Sequence, residues 1–97
     1  MRREEYVFCI GFEGSTAIVD GKMQRRHRSH GTRQLAEEGL FKQALCSAFW
    51  SGKPEELEEV LAIFNQKTTA PVRSVDELTR MYGVSGVPEG VKKVTIV

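Results

Sequence analysis

Thr16-Ala17-Ile18-Val19-Asp20-Gly21-Lys22-Met23-Gln24-Arg25-Arg26 is the stretch whose reading decides the fold. A β-branched run ends at Asp-Gly, the dipeptide that most often turns a chain back on itself as a two-residue hairpin. On that reading residues 22–26 form a strand antiparallel to residues 16–19. Upstream, Glu5-Tyr6-Val7-Phe8-Cys9-Ile10-Gly11-Phe12 is rich in aromatic and β-branched residues, and Glu13-Gly14-Ser15 supplies the turn before Thr16. Phe8, Ile10 and Phe12 would line one face and Val7 and Cys9 the other, the pattern of a central strand covered on both sides. The first third of the chain is therefore expected to be a three-stranded antiparallel meander.

Downstream the apolar period lengthens to that of a helix. Leu35, Leu40, Phe41, Ala44, Leu45, Ala48 and Phe49 recur at three- and four-residue spacing, with Thr32 as the expected N-cap and Gly52 as the stop. Gly39 weakens that helix by up to ~1 kcal/mol relative to alanine and suggests a close packing contact. Pro54 and the glutamates 55, 56, 58 and 59 suit the start of a second helix, buried through Leu57, Val60, Leu61 and Phe64. The short link makes these two a helical hairpin. Ser74-x-x-Glu77 is a capping box opening a third helix that Gly83 ends, and Val91 to Val97 alternates as a final strand. The expected fold class is α+β: the meander, three helices, and a last strand joining the sheet, all in one domain over residues 1–97.

Composition sets outer bounds. Hydrophobic residues are 40% and charged residues 28% of 97, ordinary for a globular chain, and the net charge of +1 excludes steering of the whole molecule toward nucleic acid. No run approaches the ~20 apolar residues of a membrane span, so no membrane partner is expected. Cys9 and Cys46 sit singly in apolar stretches, as reduced thiols of a cytoplasmic protein do. Charge is uneven along the chain: net +3 over residues 1–33, −4 over 34–66 and +2 over 67–97.

The basic excess concentrates in residues 22–33, where Lys22, Arg25, Arg26, Arg28 and Arg33 accompany His27 and His30 with no acid among them. Lying just before a helix start, these residues and Thr32 are the candidate anion-binding set. Guanidinium groups and free helix-terminal amides together suit phosphate on nucleic acid or another partner. Two other readings stand beside it. One is a solvated edge whose charges discourage aggregation, and the other is pairing of these cations with the glutamates of the second helix. No aromatic residues interleave the cations, as single-strand stacking would require. His27-x-x-His30 is a lone pair amid arginines that repel a cation, so neither a metal nor another cofactor is expected. Trp50, the only tryptophan, is read as a packing residue before a contact residue.

Two local resemblances exist. Ile10-Gly11-Phe12-Glu13-Gly14-Ser15-Thr16 with Ala17-Ile18-Val19-Asp20 resembles the first hairpin of the actin-like ATPases and ribonuclease H-like nucleases over about a tenth of the chain. It implies a metal or phosphate role for Glu13, which stands one residue late and where those families generally carry aspartate. Leu78 to Pro88 is similar to the helix and cis-proline loop of thioredoxin-like domains, but no Cys-x-x-Cys is present. Neither names a family for the chain. The function expected is a non-enzymatic binding module that holds a phosphate-bearing partner through residues 22–33. The alternatives are a homodimer or protein–protein module without ligand, and a small enzyme on a phosphorylated or nucleotide substrate.

Overall fold

Asp20 does not turn the chain into a third strand. Its carboxylate accepts the backbone N–H groups of Lys22 and Met23, at 3.1 Å each, and so caps a helix, α2, over Gly21–His27. The computed structural model describes residues 1–97 and divides them into two compact units, Met1–Ser29 with Val87–Val97, and His30–Gly86.

The first unit holds α1 (Arg3–Val7), β1 (Cys9–Glu13), β2 (Thr16–Val19), α2 and β3 (Lys93–Ile96). The expected strand over residues 5–12 is thus a short helix followed by a strand. Glu5 accepts the N–H of Arg2 at 2.6 Å, and Glu4 and Glu5 occupy the first turn, where carboxylates are favoured. β1 and β2 form the expected hairpin across Gly14 (φ 60°) and Ser15, with Phe12 opposite Ala17 and Glu13 opposite Thr16. Cys9 pairs with Val19 and Gly11 with Ile18, so Ile10 is the extra residue of a β-bulge.

The sheet order is β1-β2-β3, and β3 runs parallel to β2, with Thr16 against Lys93 and Val19 against Ile96. The sheet is mixed and three-stranded, not an antiparallel meander. β2 is its centre, with Ala17 and Val19 wholly buried. β1 is an edge, which explains why Ile10 and Phe12 are 57% and 50% exposed where a central strand would have covered them. The other buried apolar residues of this unit are Tyr6, Val7 and Phe8.

The second unit is helical: α3 (Thr32–Glu37), α4 (Phe41–Ser51), α5 (Pro54–Lys67) and α6 (Val75–Tyr82). The one helix expected from Thr32 to Phe49 is broken at Gly39, whose φ of 82° no right-handed helix contains. No atom lies within 4 Å of where its Cβ would be, so Gly39 serves the backbone turn and not a packing contact. The chain thereby has six helices instead of three. Elsewhere the punctuation is where the residues place it. Gly52 (φ 70°) ends α4, Pro54 opens α5, Ser74 Oγ accepts Glu77 N–H at 3.2 Å, and Gly83 (φ 69°) ends α6. Leu35, Ala36, Ala44, Leu45, Val60 and Leu78 are fully buried. Phe41, Phe64 and Tyr82 meet edge to face and tilted, with ring centroids 5.1–6.3 Å apart. Such aromatic contacts add ~0.5–1.5 kcal/mol each to their burial.

Gly21 is required for a different reason from Gly39. A Cβ there would stand 2.6 Å from Ile96 Cγ2 and 2.9 Å from the carbonyl of Val97, which accepts the Gly21 N–H at 3.0 Å. Two glycine-to-alanine variants are expected to lower the urea midpoint by separate routes. G21A overpacks against β3 and costs about 1–3 kcal/mol. G39A meets open space but must hold a left-handed φ, and costs about 1–2 kcal/mol. G11A, with open space and no positive φ, is expected to stay within about 0.5 kcal/mol of the parent.

Candidate functional site

The capping of α2 at Asp20 fixes where its cations stand. Lys22, Arg25 and Arg26 occupy positions i, i+3 and i+4 and share a face, while Gly21 and Gln24 are buried. Lys22, Arg25, Arg26 and Arg28 are all exposed, and none of the four has an acidic partner within ion-pair distance. Arg25, Arg26 and His27 fill the last turn of α2, where the negative end of the helix dipole tolerates positive charge. Arg28 follows as the C-cap, and Arg3 Nη1 donates to its carbonyl at 3.3 Å, which brings a further guanidinium to the end of α2. His27 is half-buried and stacks on Phe8, with ring centroids 6.5 Å apart and planes 26° from parallel. The first unit carries eight Lys/Arg against five Asp/Glu.

The remaining members of the expected set lie in the second unit and are engaged with carboxylates. His30 Nδ1 is 2.7 Å from Glu38 Oε1. Arg33 Nε donates to Glu37 Oε1 at 2.9 Å, one helical turn away. That hydrogen bond first, and then the negative charges of Glu37 and Glu59, hold the Arg33 guanidinium above its ordinary pKa. Thr32 is not the N-cap of α3, a role taken by Gly31. Its hydroxyl is buried, donates to Glu56 Oε1 at 2.5 Å and stands 2.8 Å from Ser47 Oγ. A hydroxyl has one proton, so with that proton on Glu56 it is Ser47 that donates to Thr32.

These groups line a cleft of about 670 Å³ bounded by Gly31, Thr32, Arg33, Gln34, Glu37, Glu56 and Glu59. Three carboxylates face it against one guanidinium, so its wall is acidic. The pairing of basic residues with glutamates that the sequence allowed is realised here, for Arg33 and Thr32, and not along α2. Arg33-x-x-x-Glu37 is an i,i+4 pair that the sequence displays. Ser47 and Glu56, 15 and 24 residues from Thr32, carry no such local signal.

Glu13, the residue singled out by the hairpin resemblance, is exposed at the end of β1 and belongs to no cluster of potential metal ligands. All peptide bonds are trans, that of Pro88 included, unlike the proline of the thioredoxin-like loop. Trp50 is 36% exposed near the end of α4, and Cys9 and Cys46 are both free thiols. No helix of the chain is long and apolar enough to cross a membrane. No family model, curated protein or solved structure matches this chain.

Thr32→Val keeps the side chain's shape but removes the hydroxyl that Glu56 and Ser47 share. It is expected to lower unfolding free energy by about 1–3 kcal/mol in urea titrations with an unchanged m-value, whereas Thr32→Ser stays close to the parent.

Proposed function

We propose that the chain is a non-enzymatic binding module that holds a phosphate-bearing partner, such as nucleic acid, through the cationic face of α2. The observation that carries this reading is the set of four exposed cations, Lys22, Arg25, Arg26 and Arg28, with no carboxylate on any of them. An arginine already bound to a carboxylate must give up that contact to take a phosphate, and these have none to give up. Their spacing supports contact with several phosphates of one polymer at once. The absence of exposed aromatic side chains along α2 supports backbone contact over base stacking. Arg33, His30 and Thr32 then serve the second unit and not the ligand. The same reading places the chain in the reducing cytoplasm, where Cys9 and Cys46 remain thiols.

A second reading has its own support. Ile10 and Phe12 expose large apolar surface on an edge strand, as a protein–protein contact or a homodimer would use. Under it, sedimentation shows a concentration-dependent dimer that Phe12→Lys dissolves, with no dependence on the α2 charges.

For the phosphate reading, titration of labelled duplex DNA and of polyphosphate against the protein is expected to give binding that weakens steeply with salt. Replacing Arg25, Arg26 and Arg28 together with Glu is expected to reduce it to background. Each single Arg→Ala change should lower the slope of log K against log salt by about one. Binding insensitive to salt, or unchanged in the triple variant, overturns the reading.

A further inference from the structure

The backbone of β3 offers a second recognition surface, distinct from the cations of α2. β3 pairs only with β2, so one of its edges is unoccupied by any strand. The hydrogen bonds say which groups lie on that edge. Lys93 N–H donates to Ser15 O and Val97 N–H to Val19 O. In a parallel ladder alternate residues direct both N–H and C=O to the same neighbour, and Thr16 against Lys93 and Ile18 against Thr95 fit that register. Lys93, Thr95 and Val97 therefore face β2, and the N–H and C=O of Val94 and Ile96 point away from it. Ile96 is 50% exposed and Val94 half-buried. The edge contains no proline and no bulge, two of the devices by which exposed edges are usually blunted.

Charge decides what fits there. Lys92 and Lys93 are exposed at one end of the strand, and neither has an acidic partner. At the other end Arg25 Nη1, Ile96 Cγ2 and the Val97 carbonyl converge on Gly21, each within 3.2 Å of the position of its absent Cβ. A second copy pairing antiparallel through this edge about Thr95 would set Lys93 against Val97. Each copy's lysines would then approach the other's Arg25, a like-charge arrangement that disfavours self-pairing. We propose that the outer edge of β3 takes an extended acidic polypeptide segment as a fourth strand. Its backbone bonds to Val94 and Ile96, its carboxylates lie toward Lys92, Lys93 and Arg25, and its apolar residues lie against Ile96. This is β-augmentation, in which main-chain bonds supply affinity and flanking charge selects the partner.

The probe is a labelled peptide of about eight residues alternating glutamate and valine, compared with its lysine–valine counterpart. The intact protein is expected to bind the acidic peptide and not the basic one, and binding is expected to slow amide exchange at Val94 and Ile96. Val94→Pro deletes one outward N–H without touching the β2 ladder, and should weaken binding about fivefold to tenfold at unchanged thermal stability. Lys92→Glu with Lys93→Glu should weaken it at least as much. The inference is overturned by absence of binding, by equal binding of the two peptides, or by full affinity in the Val94→Pro protein. A concentration-dependent dimer that leaves Val94 and Ile96 protected without peptide overturns it as well, because the edge would then belong to a second copy. Failure of duplex DNA to bind leaves these outcomes unaffected, since of the α2 cations only Arg25 is shared.

Discussion

The capping of α2 by Asp20 is the contact on which the first unit depends. A carboxylate that satisfies two backbone N–H groups at the head of a seven-residue helix supplies order that so short a helix cannot generate by propensity. Around it the geometry is tightly specified. Asp20 N–H donates to Phe8 O at 2.9 Å, and Gly21 N–H donates to Val97 O. The absent side chain of Gly21 leaves room for Ile96. One dipeptide thus ties the end of β2, the residue before β1 and the residue after β3 to the start of α2. The direction in which Lys22, Arg25 and Arg26 point follows from that knot.

The same dipeptide explains where reading the sequence fails. Asp-Gly suits a tight hairpin and a helix entry equally, because the aspartate oxygen can bond to amides two and three residues on in either case. Residues 22–26 contain too few apolar side chains for period two or 3.6 to decide between them. Residues 3–7 fail for a related reason: five residues are too short to display helical periodicity, and Tyr6, Val7 and Phe8 blend with the strand that follows. The helical half is more legible, since Gly52, Pro54, Ser74, Glu77 and Gly83 each have one dominant structural use. Gly39 is the exception, because a glycine inside a periodic apolar stripe reads as a weak spot unless its φ is known.

For the site, the cations themselves were plain and their neutralisation was not. Arg33 and Glu37 lie a turn apart, so their pairing follows from helical spacing once α3 is placed. The Thr32–Ser47–Glu56 network joins three helices, and only packing brings its members together. The separation between a bare set of charges on α2 and a compensated set beside the acidic cleft is a tertiary property, although the residues are almost contiguous in the chain.

The parallel pairing of β2 with β3 has a consequence for the order of assembly. All of His30–Gly86 lies between these strands in sequence, so their ladder closes only after that whole segment has been spanned. The α3–α6 contacts, by comparison, join neighbours along the chain. Loop closure grows costly only slowly with length, about 0.6 kcal/mol per doubling, but here the cost falls on a strand of four residues with little buried side chain to offset it. β3 is therefore the last element to dock and the first to leave. It departs as a unit with its bonds to Ser15 and Val19, while the β1–β2 hairpin, closed by a two-residue turn, stays zipped.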